Sequence, residues 1–302
     1  MNLGERLNRG GVASNASPLF LVLGAALLWS TGGLFIKWTT LSAFELTFGR
    51  SLLAALTVAF FTRREGFRPN AMTILTSLLY GGLLLLFVIA TKLTTAANAI
   101  FLQYTAPIYV LILEPLFYKE KFRRADMIAV AACIAGMSLF FVGKLRPQDV
   151  KGNLAALASG LCFTFYILLL RHPHSQRVNR ASSVIYGNLL LVIITAFVII
   201  YSPTSLAALE HISVRDAGSV FYLGVIQIGV AYTLFTLGMA RGVRSLEAAI
   251  VSYIEPVLNP IWVFLFLGER PSTWALTGGT IIIAAVASHT IWGARKSKVK
   301  TV

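Results

Sequence analysis

The chain has 302 residues, of which 57% are hydrophobic and 13% are charged, and its formal net charge is +14. Ordinary soluble domains carry about 25% charged residues. A soluble fold of this length could not bury so much apolar surface, so the composition predicts an integral membrane protein.

The apolar residues are gathered in ten blocks, each close to the ~20 residues that a helix needs to cross the hydrocarbon layer. Membrane β-strands would instead alternate over segments of ~10 residues, and the blocks do not alternate. We therefore predict an all-α integral membrane fold with ten transmembrane helices. The blocks are 18–38, 43–62, 70–91, 95–118, 125–143, 152–170, 182–201, 217–238, 246–267 and 272–293.

The basic residues between the blocks predict the orientation. With the N-terminus inside, the inner segments hold 18 Lys and Arg residues, the outer segments hold 7, and Arg50 lies within a helix. This asymmetry follows the positive-inside rule and predicts cytoplasmic termini in a multi-pass protein of the inner (plasma) membrane. The net charge therefore needs no nucleic-acid partner, and basic runs interleaved with aromatic residues are absent from the sequence.

The first four blocks carry aromatic and amide side chains at mid-membrane depth. Trp29 and Tyr80 lie near the centres of the first and third blocks. In the second block, Glu45 and Arg50 are expected to form an ion pair near the surface. The fourth block carries further polar groups: Asn98, Gln103 and Tyr104.

Pro107 interrupts the fourth block and, lacking an N–H, frees the carbonyl of Gln103. An unsatisfied carbonyl costs several kcal/mol in lipid, so it must face a partner helix, a water molecule or a substrate. The proline is interpreted as a hinge that offers backbone acceptors to a cavity. The alternative is a static kink, because proline is frequent in membrane helices.

The fifth and tenth blocks are poor in polar residues and carry small residues four positions apart: Ala132 and Gly136, and Ala284 and Ser288. Such positions let helix backbones approach closely. We predict that both helices are scaffold rather than site.

The second half adds Tyr166, Asn188 and Gln227 in the sixth to eighth blocks. For any one of these residues a bond between helices would suffice, whereas the whole set predicts a cavity for a small molecule. The predicted substrate-binding set is Trp29, Tyr80, Asn98, Gln103, Tyr104, Tyr166, Asn188, Gln227, Tyr253 and Glu255.

The ninth block repeats the proline of the fourth, because Pro256 frees the carbonyl of Ser252. Glu255 precedes this proline, and a carboxylate at mid-membrane depth costs roughly 2.5–3.5 kcal/mol on insertion scales. It should face a cavity. Three roles stay open: carrying a coupling proton, meeting a cationic or amino group of a substrate, or capping the break made by Pro256.

The two prolines indicate an internal duplication. A spacing of 149 residues separates Pro107 from Pro256, and also Glu120-Lys121 from Glu269-Arg270. Five helices in each half would place the halves in opposite orientations, which predicts an inverted repeat with a binding site between its halves. The predicted repeats are residues 1–147 and 148–302.

Enzyme motifs are missing from the sequence: it has no Gly-rich phosphate loop, no H-E-x-x-H and no G-x-S-x-G. Cys133 and Cys162 lack the spacing of a disulfide or metal site. We therefore predict no enzyme, no metal and no cofactor. The expected partners are a small-molecule substrate and the lipid bilayer, for a monomer or a weak homodimer, with proton coupling left open.

Five segments give the chain a family resemblance: Leu28-Trp29-Ser30, Arg50, Tyr118–Lys121, Tyr253–Pro256 and Leu267–Arg270. With them the chain resembles the EamA-like members of the drug/metabolite transporter superfamily over nearly its whole length. The resemblance implies ten helices in an inverted five-plus-five repeat, with a central cavity lined by helices one to four and six to nine. Ala106 departs from the pattern, because the second repeat has Glu255 at that position.

From these features we expect an inner-membrane secondary transporter that works by alternating access, with Pro107 and Pro256 as hinges. An exporter of amino acids or related compounds is favoured. The alternatives are a transporter of organic cations such as choline-type quaternary amines, and a non-transporting membrane scaffold. Phosphorylated substrates fit least, because the sequence has no cluster of Lys and Arg at mid-membrane depth.

Overall fold

The computed structural model describes residues 18–94, 96–119, 123–139, 142, 149–203, 212–267 and 273–299. Across these ranges the regular secondary structure is helical throughout, with no strand. The predicted all-α fold is therefore confirmed for this part of the chain. The acid-base pairs at 120–121 and 269–270 and the predicted repeat boundary at 147–148 lie outside the described residues.

The helices of the first half follow the apolar blocks, with breaks in the first and the fourth. They are α1 (Pro18–Trp29), α2 (Gly32–Trp38), α3 (Ala43–Thr62), α4 (Ala71–Leu93), α5 (Ala96–Gln103), α6 (Ala106–Tyr118) and α7 (Arg124–Leu139). Two of these helices are capped at their N-terminus by a nearby side chain. The N–H of Ser42 donates to Glu45 Oε2 (2.6 Å) at the start of α3, and the N–H of Thr73 donates to Asn70 Oδ1 (2.8 Å) at the start of α4.

The helices of the second half also follow the apolar blocks, with a break in the ninth. Its helices are α8 (Val150–Leu170), α9 (Ser182–Ile200), α10 (Val214–Phe221), α11 (Ala231–Ala240), α12 (Ser245–Ser252), α13 (Ile254–Leu267) and α14 (Thr273–Val299). Between α10 and α11 the chain continues as a π-helical segment, Tyr222–Val230. Such π-turns are rare and are frequent at functional sites.

Eight helical stretches of the described chain are long and apolar enough to cross a membrane. This count takes α1 with α2, α5 with α6, α10 with the π-helical segment and α11, and α12 with α13 as single stretches. Large apolar side chains such as Phe20, Leu116 and Ile193 are exposed on their outer faces, as expected for contact with lipid. The protein is therefore a multi-pass membrane protein. The count of ten stays a prediction, because α7 has 16 residues and the apolar part of α14 is confined to Leu276–Ile291.

The helices around the centre pack in matching pairs. α4 packs along α8 as α11 packs along α1, and α9 lies against α4 as the π-helical segment lies against α3. α7 packs mainly against α14, at a distance from these pairs. The centre of the molecule is thus framed by α1, α4, α8 and α11, and the broken helices enter it between them.

Candidate functional site

Three of the membrane-crossing stretches are broken near their middle, and the breaks position side chains of the predicted site. α1 ends at Trp29, Tyr104 lies between α5 and α6, and Tyr253 lies between α12 and α13. Pro107 and Pro256 occupy the first turns of α6 and α13, where a missing N–H leaves no helical hydrogen bond unmade. Each proline thus begins a new helix after a break.

The break before α6 is held tightly against two neighbouring helices. The carbonyl oxygen of Gln103, freed by Pro107, faces α8 so closely that a Cβ on Gly160 would lie 2.6 Å from it. The Gln103 side-chain amide donates to Ser159 Oγ (2.8 Å), and that hydroxyl donates to the carbonyl of Leu83 (2.8 Å). Of the three neighbours considered for the freed carbonyl, the one it faces is a helix, α8. Only glycine at position 160 permits this close approach.

A cavity opens between the broken helices. The space inside it that a water molecule can reach is about 40 Å³. Residues from both halves of the chain line it: Trp29, Arg50, Leu83, Leu84, Phe87, Gln103, Tyr104, Phe163, Gln227, Tyr232 and Glu255. Five of these were predicted from the sequence: Trp29, Gln103, Tyr104, Gln227 and Glu255.

One side of the cavity is aromatic. The Trp29 ring lies 4.7 Å from the ring of Tyr232 and 6.3 Å from that of Phe163, centre to centre. The edge of Tyr80 meets Tyr232 at 4.8 Å. Tilted and edge-on arrangements are the preferred geometries of aromatic pairs, so these contacts stabilise the wall.

On another side, a hydrogen bond joins the two halves. The hydroxyl of Tyr104 donates to Glu255 Oε2 at 2.6 Å, and the hydroxyl of Tyr253 donates to the carbonyl of Tyr104 at 3.0 Å. Glu255 is 7% exposed. The break in one half is thus tied to the break in the other through groups that belong to the cavity wall or lie directly behind it.

Arg50 corrects an expectation from the sequence. The predicted ion pair with Glu45 does not form, because five positions along a helix separate the two side chains by about 140° around its axis. Glu45 caps α3 instead. The Arg50 side chain is 1% exposed, lines the cavity, and donates from one terminal nitrogen to the carbonyl of Leu84 (3.2 Å).

Gln227 reaches the cavity from the π-helical segment and lies against the break that follows α1. A Cβ on Gly32 would come within 2.7 Å of its Nε2, so this contact also depends on a glycine. Its Oε1 has no hydrogen-bond partner in the part of the chain that the structure describes. The same holds for Nε1 of Trp29 and Nε of Arg50. Three unpaired polar atoms therefore belong to side chains that line the cavity. Burying a polar atom without a hydrogen-bond partner is costly.

The remaining predicted residues are absent from the cavity lining. Asn188 donates to the hydroxyl of Tyr80 (3.1 Å) behind the aromatic wall, where the Tyr80 and Tyr166 rings lie 5.4 Å apart. Asn98 donates to Thr94 Oγ1 (3.2 Å) near one end of the bundle. Together with Tyr253, these residues support the cavity wall or its surroundings.

Sequence reasoning missed Arg50, Phe163 and Tyr232 as lining residues. Phe163 and Tyr232 stand in apolar blocks that are rich in aromatic residues, so nothing in the pattern singles them out. Arg50 carried a usable signal. A lone arginine deep in an apolar block faces a cavity or a partner by default.

Ion pairs tie the helices together at the end of the bundle that was predicted to be cytoplasmic. Glu114 of α6, 1% exposed, pairs with Arg171 (2.7 Å) and with Arg244 (3.2 Å). Arg244 also reaches Asp126 of α7 (3.3 Å), and that carboxylate contacts His289 of α14 (2.7 Å). This group, which we call the end cluster, joins both halves of the chain.

The opposite end is held by hydrogen bonds to one carboxylate. Asp216, near the start of α10, accepts from the hydroxyl of Thr39 (2.7 Å) and from the N–H and hydroxyl of Thr40 (2.7 and 2.9 Å). The ammonium group of Lys37 donates to the carbonyl of Thr94 (2.9 Å). Both ends of the central cavity are thus bordered by contacts between the halves or between neighbouring helices.

Within the described ranges, no group of three His, Cys, Asp or Glu side chains is placed to hold a metal ion. Cys133 and Cys162 are both free thiols. The cavity itself offers hydrogen-bonding groups, charge and aromatic surface to a bound molecule.

Comparison with known families gives a match over both halves of the chain. The sequence profile of the EamA-like transporter family matches residues 16–142 and again residues 150–290. A crystal structure with 22% sequence identity superimposes with a TM-score of 0.78, covering 91% of this chain and 97% of that one. At this identity the likeness concerns the fold alone.

Curated relatives are transporters. An uncharacterized transporter, YwfM of Bacillus subtilis (strain 168), is 28% identical over 86% of this chain and 89% of its own length. The pseudopaline exporter CntI of Pseudomonas aeruginosa (strain UCBPP-PA14) is 23% identical over 89% of this chain and 94% of its own. The threonine/homoserine exporter RhtA of Escherichia coli (strain K12) is 27% identical over 73% of this chain and 71% of its own.

Proposed function

Because this chain belongs to the EamA-like transporter family, we propose that it exports amino acids or related small metabolites across the inner membrane. The observation that carries the proposal is the cavity between the broken helices. Its lining combines an aromatic wall, two amides, one arginine and one carboxyl group. Small-molecule sites have this composition, apolar in the main with a few placed polar groups.

Two relatives support the direction of transport and the class of substrate. One is named as an exporter of threonine and homoserine, and the other as an exporter of pseudopaline. Both names denote export of a small molecule. The identities, 23% and 27%, are low enough that the substrate of this chain need not be either compound.

The mechanism we propose is alternating access between two inverted repeats, residues 1–147 and 148–302. The double match of the family profile and the matching helix pairs support the repeat. The breaks before Pro107 and Pro256 supply flexible points where α6 and α13 can tilt, and the end cluster supplies contacts that must open at one end of the cavity. Glu255, the acidic residue of the cavity lining, is the group through which a proton would be coupled.

A second candidate, export or import of quaternary amines, is favoured by the aromatic wall. Rings packed around Trp29 resemble the surfaces that bind quaternary ammonium groups through cation–π attraction. Arg50 opposes this candidate, because a buried guanidinium in the same lining repels a cationic substrate that has no carboxylate. An amino acid suits both features, because it has an ammonium group for the aromatic wall and a carboxylate for Arg50.

The test is efflux from proteoliposomes that contain the purified protein. Vesicles are loaded with labelled L-threonine, L-homoserine, L-phenylalanine or choline, and protein-free vesicles serve as the control. We expect efflux of at least one amino acid above the control rate. Efflux of choline alone would support the second candidate, and efflux of none of the four would favour a non-transporting scaffold.

A further inference from the structure

The cavity holds one positive and one acidic side chain that do not neutralise each other. Arg50 and Glu255 both line it, and both are buried. No ion pair joins them, and neither forms an ion pair with any other residue of the described chain. Buried charges are ordinarily paired, because an unpaired one is strongly disfavoured.

Arg50 is short of partners for a guanidinium, which carries five N–H donors. One terminal nitrogen donates to the carbonyl of Leu84, and its Nε has no partner in the described structure. A carbonyl accepts a hydrogen bond without neutralising the charge. The fork of an arginine fits a carboxylate in two parallel bonds, so the missing partner is an anion of that shape. Nε1 of Trp29, in the same lining, is a further unpaired donor.

Glu255 presents the complementary group. One of its oxygens accepts the hydroxyl of Tyr104 at 2.6 Å, which fixes the orientation of the carboxyl group. A carboxylate has about four lone-pair sites, so capacity for an ammonium group is left. Tyr232 lines the same cavity as Arg50 and Glu255, so both charged groups and an aromatic ring face one space.

From this arrangement we propose that the cavity is a two-pole site for zwitterions: Arg50 binds a substrate carboxylate and Glu255 binds an ammonium group of the same molecule. The inference rests on the proposed function and names the substrate class of that same site. A compound with only one of the two charges leaves the other pole unpaired. The pair therefore selects amino acids and similar zwitterions over amines and over carboxylic acids.

The experiment measures binding in detergent, apart from transport, as thermal stabilisation of the purified protein. Two probe series are used: L-threonine with L-threoninamide and 3-hydroxybutyrate, and L-phenylalanine with L-phenylalaninamide and 3-phenylpropionate. In each series the second compound lacks the carboxylate and the third lacks the amino group. For the wild type we expect at least one parent amino acid to bind, with each of its analogues about tenfold weaker or more.

Each variant should lose one of these two discriminations. In Arg50→Gln the amino-acid amide should bind as well as the parent amino acid, because the side chain that binds the substrate carboxylate is gone. In Glu255→Gln the deaminated acid should bind as well as the parent. Arg50→Lys keeps the charge and serves if Arg50→Gln does not fold; it should bind the parent more weakly and still reject the amide. Arg180→Gln, at a pair with Glu65 outside the cavity, is the control and should match the wild type.

Equal binding of parent and analogues by the wild type would overturn the two-pole site, as would binding of neither parent amino acid. The outcome is separable from that of the efflux test. Efflux of an amino acid without discrimination among the analogues would reject the two-pole site and support the proposed export function. Discrimination among the analogues without efflux would support the two-pole site and reject the export function.

Discussion

In the proposed mechanism Glu255 couples substrate binding to the contact between the halves, because its carboxyl group both lines the cavity and accepts a hydrogen bond from Tyr104. A proton and a substrate ammonium group would compete for the same oxygens. Protons that enter from one side would therefore release substrate, which is the requirement for proton-driven export. If Glu255 only capped the helix break, a proton and a substrate would not compete for its oxygens.

This competition predicts the effect of Glu255→Gln. The amide cannot take up a proton near neutral pH, so transport driven by a pH gradient should be lost. Exchange of labelled against unlabelled substrate should persist with an apparent KM raised about tenfold, or ~1.4 kcal/mol. Proteoliposome assays with and without an imposed gradient measure both. Glu247→Gln, at the edge of the end cluster, is the control, and an unchanged gradient dependence in Glu255→Gln would reject coupling through this residue.

A second prediction concerns the close approach at Gly160. Alanine there would place its Cβ 2.6 Å from the Gln103 carbonyl oxygen and 3.2 Å from Gln103 backbone carbon atoms, none of which can move aside without shifting α8 or the break. Overpacking of this kind destabilises by about 1–3 kcal/mol. Gly160→Ala should lower the melting temperature in detergent.

Gly218→Ala is the matched control, because that helical glycine has open space where a Cβ would lie. It should be neutral or slightly stabilising, since alanine is the better helix former. Equal melting temperatures for the two variants would show that the contact at Gly160 is looser than the structure has it.

Among the helices, the breaks in the fourth and ninth blocks lie against each other. Ala106–Tyr118 packs against Ser245–Ser252, and the hydrogen bond from Tyr253 to the carbonyl of Tyr104 links the breaks between them. Prolines at the helix starts prevent the preceding helix from continuing across each break. The breaks are therefore maintained by the sequence and by packing together.

Replacing these prolines tests their role as hinges. In Pro107→Ala and Pro256→Ala the restored N–H would let the preceding helix continue across the break and stiffen it. Turnover should therefore fall by roughly tenfold, or ~1.4 kcal/mol in barrier height. Binding in detergent should change little, because neither proline lines the cavity. Pro115→Ala, in the interior of α6 and away from the break, is the comparison. Wild-type turnover in both hinge variants would favour static kinks.

The end cluster yields a prediction about stability at the level of the whole molecule. Arg244 contacts Glu114 and Asp126, both nearly inaccessible to solvent, whereas Arg180 pairs with a more exposed Glu65. Removing one partner of a buried pair costs about 3–5 kcal/mol, and an exposed pair contributes about 0–1 kcal/mol. Arg244→Gln should therefore lower the melting temperature well beyond Arg180→Gln. Similar losses would mean that the end cluster does not hold the halves together.

The fold could be predicted from the sequence because hydrophobic blocks of about 20 residues have few alternatives to membrane helices. Trp29, Gln103, Tyr104, Gln227 and Glu255 could be placed at the cavity for the same reason: polar and amphipathic groups at mid-depth need partners. The predicted pairing of Arg50 with Glu45 was wrong although the sequence held the signal: five positions along a helix separate the two side chains, and a lone arginine in an apolar block favours a cavity. Phe163 and Tyr232 could not be placed, because a single sequence does not specify which face of each helix meets its neighbours.

The central claim is that the cavity between the broken helices is the substrate site. An experimental structure of the protein with a compound that it transports tests this most directly. We expect one bound molecule between Trp29, Arg50 and Glu255, with its carboxylate on the guanidinium and its ammonium group on the carboxyl. A transported compound bound elsewhere, or bound in the cavity without contact to either charged side chain, would contradict it.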